Sequence, residues 1–384
     1  MTEELVILNL NIQRNYKTVD NKSKKKYRYL EVYENLVNKI TKGEFALDEM
    51  LPSEKEIGRM YSVERTTVRK ALGLLVDDGF VQKFQGLGAK VISTEKVKNA
   101  SSNLKKSDTI LFFLPKTKEN MDRLTQPYYS LMFFNLENEL KRNGYKTIYS
   151  TISENDNIED LLKQQTYAGI IFASYGVSEK HLHYVSENNI PFITVNNDYT
   201  EAVSVVPDNY TGGYLAGKHL IELGHRKIGL ITGNTEDMSC RQRLAGFTIA
   251  LGESELQIDK KYIRNANWLA DKAIFQTQDL LEKNKKDLPT AIFAFNDEMA
   301  ISAMKVINES GYNVPDDISL IGFDNISQAK YVYPDLTTIH SNIETICRTA
   351  VWILNNKIRK DVHDNFKILV PVHLIKRGST APVN

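Results

Sequence analysis

Hydrophobic residues between Leu51 and Phe80 recur at the spacing of two short helices. Ser53 and Glu56 have capping-box spacing, in which each side chain accepts a hydrogen bond from the other residue's backbone N–H. A helix is therefore predicted from Ser53 to about Met60. After a four-residue break, the i, i+3, i+4, i+7 spacing predicts a second helix, which Gly79 ends in a left-handed conformation. The apolar positions of this second helix are Val68, Ala71, Leu72 and Leu75.

Two further elements flank this helix pair. A helix is predicted from Arg28 to about Lys42, with Gly43 at its end. Its apolar side is predicted to hold Leu30, Tyr33, Val37 and Ile40. The segment FVQKFQGLGAKVIS, residues 80–93, predicts a short β-hairpin. Its turn glycines are Gly86 and Gly88, and the lysines on its arms are Lys83 and Lys90. The order of helix, helix-turn-helix and hairpin predicts a winged helix.

From Thr109 onward, apolar strands alternate with amphipathic helices, a pattern typical of βαβ units and a parallel sheet. The predicted strands are TILFFL, KTIYS, AGIIFAS, PFITVN, SVV, KIGLITG, TAIFAFN and SLIGFD. Helices are predicted near 128–143, 178–188, 209–223, 239–252, 270–285 and 297–310. Eight strands are too many for one five-stranded sheet, so the pattern predicts two doubly wound lobes.

Polar side chains follow three of these strands. Asn196 and Asn197 follow PFITV, Asn296 and Asp297 follow TAIFAF, and Asp324 follows SLIGF. Any one of them fits a simple helix cap, but three strand ends in register favour a ligand site in the cleft between the lobes.

Composition changes this interpretation mainly through charge. The 384 residues are 42% hydrophobic, which suffices for two or three domains. The formal net charge is only +1, but residues 22–106 carry 18 Lys or Arg against 11 Asp or Glu. The basic segment therefore coincides with the predicted winged helix, which favours a nucleic-acid partner whose binding weakens with salt.

Several other classes of protein are disfavoured. Cys240 and Cys347 are far apart and have no metal-ligand spacing, which fits a reducing cytoplasm. No run of about 18 apolar residues suggests a membrane span, and the N-terminus does not resemble a secretion signal. We therefore expect a cytoplasmic protein without a membrane partner, metal or cofactor.

Catalytic motifs are also missing. GGYLAGKH, Gly212 to His219, resembles a phosphate-binding loop, but His219 replaces the hydroxyl that binds Mg²⁺ and a helical apolar stripe runs through it. The chain lacks G-x-S-x-G, H-E-x-x-H and C-x-x-C. We therefore expect no enzyme and no catalytic residues.

The phrases PSEKEI, VERTTVRKAL and GF, across residues 26–92, resemble the GntR family of bacterial repressors. The resemblance implies a winged helix that reads duplex DNA. The implied DNA-contacting residues are Lys55, Arg65, Thr66, Thr67 and Arg69 on the helices, with Gln85 and Gly86 at the wing tip. Glu64 departs from the usual Ser or Thr, so it either caps its helix or reads a cytosine amino group.

Four later phrases resemble the effector domain of the LacI/GalR family, from about Asp108 to Arg377. They are PDNYTGGYLAGKHLIELGHRKIGLITG, SCRQRLAGF, PTAIFAFNDEMAISAMKVINESGYNVPDDISLIGFDN and PDLTTIHSN. The implied effector-binding residues are Tyr128, Tyr129, Asn196, Arg243, Trp268, Asn296 and Asp324. The side chains agree with this: Arg243 offers a fork of donors, Asp324 accepts from hydroxyls, and Trp268 offers a flat apolar face.

Together these features predict an α/β protein with a small winged helix-turn-helix and a two-lobed, periplasmic-binding-protein-like effector domain. The expected segments are an N-terminal extension at 1–24, the winged helix at 25–92, a linker at 93–107 and the effector domain at 108–384. The expected lobes are an N-lobe at 108–206 plus 342–360 and a C-lobe at 207–341 plus 366–380. KILVPVHLIKR is expected to form the last strand.

This layout resembles that of bacterial arabinose-responsive repressors. It implies a homodimeric repressor that binds double-stranded operator DNA and is released by a small sugar, with L-arabinose the first expectation. Another sugar or a purine corepressor fits the same cleft positions. A transport-type binding protein and an enzyme on a doubly wound fold are the remaining alternatives.

Overall fold

A computed structural model describes most of the chain, which separates into one compact unit ending at Lys106 and a second beginning at Ser107. The described residues are 28–84, 88–93, 107–116, 122–163, 165–174, 177–199, 201–359, 362 and 364–383. The predicted extension at 1–24, nearly all of the predicted linker, and Gln85 with Gly86 lie outside these residues. Each unit is described by itself below.

The first unit has the predicted winged-helix elements. Three helices, α1 (Arg28–Thr41), α2 (Glu54–Met60) and α3 (Arg65–Asp77), precede the antiparallel strands β1 (Val81–Phe84) and β2 (Gly88–Val91). The four apolar positions predicted for α3 are all buried against the other helices and the hairpin. This burial of one face stabilises helices that are too short to form alone.

Local signals set the helix ends as predicted. The Ser53 hydroxyl accepts from the Glu56 backbone N–H, and the Glu56 carboxylate accepts from the Ser53 N–H at 2.8 Å. Gly43 and Gly79 take left-handed φ values of 75° and 74° after α1 and α3. The predicted buried face of α1 was partly wrong. Its buried residues are Val32, Leu36 and Ile40, whereas Leu30, Tyr33 and Val37 are only half-buried, because the core lies to one side of the predicted stripe.

The second unit contains two six-stranded sheets, as expected for two doubly wound lobes. Strands β3 to β14 span Thr109–Pro115, Lys146–Ile152, Gly169–Ala173, Phe192–Val195, Ser204–Pro207, Ile228–Thr232, Ile263–Asn265, Ala291–Ala294, Ser319–Asp324, Thr337–His340, Lys367–Val370 and His373–Ile375. Helices α4 to α11 span Pro127–Arg142, Ile158–Leu162, Glu179–Glu187, Asn209–Glu222, Met238–Gly252, Ala270–Lys283, Asp297–Glu309 and Ile343–Ile358.

The strand orders are β13-β7-β6-β5-β3-β4 in the N-lobe and β14-β12-β11-β10-β8-β9 in the C-lobe. All neighbours pair in parallel except β12 with β14. In each lobe the order reverses beside the first strand, β3 or β8, and such a switch opens a crevice at the carboxyl ends of the strands. Polar residues that follow those strands are therefore brought to one place.

The last predicted strand, KILVPVHLIKR, is two strands in two different sheets. β13 extends the N-lobe sheet beside β7, and β14 pairs with β12 in the C-lobe. Pro371 has no N–H for a ladder and lies where the chain crosses between lobes. The assignment of all of 366–380 to the C-lobe was therefore wrong, because β13 belongs to the N-lobe sheet.

Two strands of the C-lobe, β9 and β12, were not predicted. β9 has only three residues, Ile-Arg-Asn, and β12 reads Thr-Thr-Ile-His, so neither shows the apolar run that indicated the others. The N-lobe and C-lobe are joined by three crossings, after β7, after β12 and after β13. The buried face of α11, which follows the second crossing, packs in the N-lobe core.

Two glycines bring α7 and α8 into backbone contact. A Cβ at Gly213 would lie 2.0 Å from the Arg243 carbonyl oxygen, and one at Gly246 would lie 1.9 Å from the Tyr210 carbonyl oxygen. Real side chains do not approach backbone so closely, so only glycine permits this packing. The contact fixes the height of Arg243 above the C-lobe sheet.

We predict that Gly246→Ala destabilises the second unit by about 1–3 kcal/mol, because its methyl group forces the two helices apart. Gly252→Ala is the matched control, since Gly252 ends the same helix and an added Cβ meets nothing within 4 Å. The control should stay within about 0.5 kcal/mol of the wild type in urea unfolding. Equal stabilities for the two variants would contradict the close-contact explanation.

Candidate functional site

A cleft of about 470 Å³, including its open mouth, lies at the carboxyl ends of strands from both lobes. Its lining residues are Arg123, Gln126, Tyr128, Tyr129, Asn196, Ser239, Arg243, Trp268, Asn296, Glu298 and Asp324. All seven residues predicted to contact an effector are in this set. The structure brings them together, while their roles toward a ligand remain predictions. Asn197 does not line the cleft, because its amide binds the backbone of Ser174 and Asp198.

Arg243, on α8, is buried and held by groups from several elements. Its Nε donates to Asn209 Oδ1 at 2.9 Å, and its Nη1 donates to the Phe295 carbonyl oxygen. Its guanidinium lies 3.5 Å from the centroid of the Phe323 ring, and Nη2 lies 3.7 Å from Asp324 Oδ1. Some of the donors predicted for a ligand therefore bind the protein instead. The Nη2 group and the second Nη1 hydrogen are the donors left for the cleft.

Asp324 ends β11 in a strained backbone conformation, with φ at 110°. Burial raises the pKa of its carboxyl well above the usual range, while the nearby Arg243 opposes that rise. A strained backbone and a buried carboxyl group both lower the stability of the fold, so they persist only where the surrounding structure fixes them. It presents carboxyl oxygens to the cleft beside the single buried guanidinium, which suits a ligand with hydroxyl groups.

Trp268 is placed by a glycine and an acid. A Cβ at Gly233 would lie 2.0 Å from the indole ring, so only a glycine leaves space for the ring there. The indole Nε1 donates to Asp237 Oδ2 at 2.7 Å. The Trp268 backbone is left-handed, with φ at 67°. The indole N–H is therefore hydrogen-bonded within the protein, and the half-buried ring lines one side of the cleft.

Two buried polar atoms of the cleft have no hydrogen-bond partner in the described part of the chain. They are the Tyr128 hydroxyl and Asn196 Oδ1. Burial raises the pKa of Tyr128 well above its usual value, so its hydroxyl stays protonated and can donate. Buried polar groups are rarely left unsatisfied, because each costs about 1–3 kcal/mol. Their place in the cleft indicates a polar ligand.

The other predicted side chains are already partly bound. Asn296 Oδ1 accepts from the Met299 N–H at 2.8 Å as the N-cap of α10, and its amide donates to the Trp268 carbonyl. The simple capping interpretation is therefore correct for this residue, with one amide hydrogen left over. The Tyr129 hydroxyl is hydrogen-bonded to Ser174 Oγ at 2.6 Å.

Four lining residues were missed by the sequence reasoning: Arg123, Gln126, Ser239 and Glu298. Ser239 precedes Arg243 by one helical turn within SCRQR, and that spacing alone was a usable signal. Glu298 follows Asn296 by two residues. Arg123 and Gln126 lie just before α4, where no pattern indicated their position.

Five of the seven predicted DNA-contacting residues lie on α2 and α3 of the first unit, and Gln85 and Gly86 lie outside the described residues. Lys55, Arg65, Thr66 and Arg69 are exposed, and Thr67 is half-buried. The structure adds Glu54, whose carboxylate accepts from Arg65 Nε at 3.0 Å and from Arg69 Nε at 2.9 Å. Glu64 occupies the N-cap position of α3, but its side chain forms no capping hydrogen bond. The capping explanation for Glu64 is therefore not supported.

Comparison with protein families agrees with both units. Residues 28–91 match the model for bacterial regulatory proteins of the gntR family, and residues 218–380 match a periplasmic binding protein-like domain. The predicted fold class is thus confirmed. In the described residues, no helix is long and apolar enough to cross a membrane, and no cluster of side chains could hold a metal ion.

Individual relatives extend this result. The chain is 29% identical over 382 residues to an arabinose metabolism transcriptional repressor of Geobacillus stearothermophilus, covering 93% of this chain and 98% of that protein. It is 33% identical over 246 residues to the HTH-type transcriptional repressor PurR of Aliivibrio salmonicida, covering 62% and 73%. A LacI family regulator structure from Enterococcus faecium with bound ribose is 28% identical, with a TM-score of 0.65, covering 72% and 100%.

We predict that Glu54→Ala lowers the ratio of specific to non-specific duplex binding by about tenfold, since each well-placed arginine contributes about 1–3 kcal/mol of discrimination. Non-specific affinity should rise, because one negative charge leaves the surface. Fluorescence anisotropy with specific and scrambled duplexes measures both. Glu31→Ala, which removes an exposed acid from α1, is the charge-matched control. Unchanged discrimination in Glu54→Ala would show that the ion pairs do not position the arginines.

Proposed function

We propose that a small sugar, with L-arabinose as the first candidate, controls this chain, which belongs to the bacterial transcriptional repressors that join a gntR-type helix-turn-helix to a periplasmic binding protein-like domain. The cleft supports this proposal most directly. Its unpartnered Tyr128 hydroxyl and Asn196 oxygen, with Asp324 and Arg243, supply the mixed donors and acceptors that adjacent hydroxyls require. No catalytic role is proposed.

Two comparisons favour a sugar. The Geobacillus relative, named for arabinose metabolism, covers nearly the whole chain, and the Enterococcus neighbour contains ribose. L-arabinose is therefore the first effector to test and ribose the second. The relatives named PurR make a purine corepressor the competing candidate. A purine would offer a flat ring and few hydroxyl groups, and would leave more of the acceptors in this cleft unsatisfied.

The proposed DNA contacts are those of the exposed surface at α2 and α3. Arg65, Arg69 and Lys55 would bind phosphates and guanine edges in the major groove, while Thr66 and Thr67 make shorter contacts. Gln85 and Gly86 are proposed for the minor groove. We propose a homodimer, because an operator with twofold symmetry requires two recognition helices separated by whole turns of the duplex.

Control would act through closure of the two lobes. The three chain crossings between the lobes permit rotation of one lobe against the other, and residues from both lobes line the cleft. A sugar that touches both lobes binds the closed form more tightly than the open form. It changes the affinity for DNA only by that difference, transmitted through the connection between the two units.

We predict opposite effects of two arginine substitutions. Arg65→Ala should weaken operator binding by about tenfold or more, while L-arabinose affinity in titration calorimetry stays unchanged. Arg243→Ala should abolish release of DNA by the sugar while operator affinity is retained. Circular dichroism checks that Arg243→Ala is folded. Loss of sugar affinity in Arg65→Ala would refute the division of labour between the units.

We predict that Tyr128→Phe separates binding from stability. The Tyr128 hydroxyl has no partner in the free protein, so its removal should leave the melting temperature unchanged or raise it. Sugar affinity should fall by about fivefold to tenfold, the value of one hydrogen bond. Tyr129→Phe is the matched control, since it loses the bond to Ser174 and should melt earlier. Normal sugar affinity in Tyr128→Phe would show that this hydroxyl does not bind the sugar.

A further inference from the structure

Glu298 is the one carboxylate of the cleft whose place the fold does not explain. It lies in the first turn of α10, is half-buried, and lines the cleft. It forms no hydrogen bond or ion pair with any residue that the structure describes. Burial raises the pKa of its carboxyl to about 7. A carboxylate that is partly removed from water and has no partner lowers the stability of the protein, so its presence in the cleft points to a role in binding.

An acid near a helix N-terminus has an ordinary structural explanation, because it interacts favourably with the helix dipole. That explanation fits an exposed side chain, which stabilises the helix without losing its hydration. The neighbouring residue Asp297 has a carboxyl group with a structural role, and its hydrogen bonds provide a comparison. It is fully buried, but its oxygens accept from Thr338 Oγ1 at 2.5 Å and from the Ile326 N–H at 2.8 Å. Glu298 has no such partners.

The charge balance of the cleft narrows the class of ligand. Glu298 and Asp324 contribute two carboxyl groups. Burial raises the pKa of Asp324, and the nearby carboxyl groups of Asp297 and Glu298 add to that rise. The two arginines of the cleft are both partly engaged. Arg243 binds Asn209 and Phe295, and Arg123 Nε donates to the Pro115 carbonyl at 2.9 Å. A phosphate would therefore meet two carboxyl groups and few free donors.

We infer that Glu298 accepts hydrogen bonds from effector hydroxyls and, together with Asp324, selects an uncharged polyhydroxylated effector against its phosphorylated form. This inference rests on the proposed function, because it concerns the same cleft. It adds a specificity-determining residue that the family resemblance did not supply. The neutral sugar satisfies Glu298, whereas a phosphate on that sugar is repelled by it.

The test is titration calorimetry of the full chain with L-arabinose and with its 5-phosphate. The wild type should bind the neutral sugar at least 100-fold more tightly. Glu298→Gln keeps the shape of the side chain but removes its charge. It should lower the affinity for L-arabinose by about tenfold and reduce the ratio of the affinities for L-arabinose and its 5-phosphate. Glu309→Gln is the control, because Glu309 is exposed at the far end of the same helix. It should behave as wild type for both ligands.

A pH series separates a direct contact from a general loss of packing. Hydroxyl donors favour the ionised carboxylate, so affinity for L-arabinose should rise about tenfold between pH 6 and pH 8 in the wild type and in Glu309→Gln. Glu298→Gln should show a smaller rise. Two other carboxyl groups whose pKa is raised by burial, Asp297 and Asp324, keep some pH dependence in all three proteins. The remaining charged or phenolic groups around the cleft are Arg123, Tyr128, Tyr129 and Arg243.

Three results would overturn the inference. One is Glu298→Gln binding L-arabinose like the wild type, the second is an equal pH slope in the two variants, and the third is tighter binding of the 5-phosphate by the wild type. The proposed function has an independent readout in release of operator DNA from the wild type by a neutral sugar. If a neutral sugar releases operator DNA from the wild type, but Glu298→Gln binds that sugar normally, only the role of Glu298 is refuted. If the wild type binds no neutral sugar, both the role of Glu298 and the proposed function are refuted.

Discussion

The buried guanidinium of Arg243 is the constraint on which the second unit depends. A charge that is only 4% exposed requires partners on every side, and the fold supplies them from separate elements. Asn209 comes from the start of α7, Phe295 directly follows β10, and Phe323 with Asp324 comes from β11. The contact of α7 with α8 through two glycines sets the height of the arginine above the strand ends. The contacts that bury Arg243 in the core therefore also set the geometry of the cleft.

The cleft contains residues with strained backbone conformations. Asn196, Trp268 and Asp324 all have positive φ, although none is glycine, and all three line the cleft. Two further cleft atoms, the Tyr128 hydroxyl and Asn196 Oδ1, lack partners. Strained backbone and unsatisfied polar groups lower the stability of the free protein. A ligand that supplies the missing hydrogen bonds recovers part of that free energy, which favours the ligand-bound arrangement of the lobes.

Sequence patterns predicted much of this arrangement, and the exceptions have physical reasons. Capping boxes, left-handed glycines and apolar periodicity are local, so the winged helix and the alternating strands and helices were predicted close to their actual bounds. All seven cleft residues were implied by the resemblance, and three of them, Asn196, Asn296 and Asp324, were also indicated by their places after strands. Contacts between distant residues were not predicted: the ion pairs of Glu54 with α3, and the position of Glu298. The splitting of the last strand at Pro371 depends on which sheet each half joins, and no local pattern encodes that choice.

In the proposed function, binding in the cleft and binding on duplex DNA are linked equilibria of one chain. Linkage is reciprocal, so the factor by which sugar weakens operator binding must equal the factor by which operator weakens sugar binding. The direct measurement is L-arabinose affinity with and without saturating operator duplex, set beside operator affinity with and without saturating sugar. We expect equal factors above fivefold in both directions. Sugar binding that is tight and identical with and without the operator would contradict it.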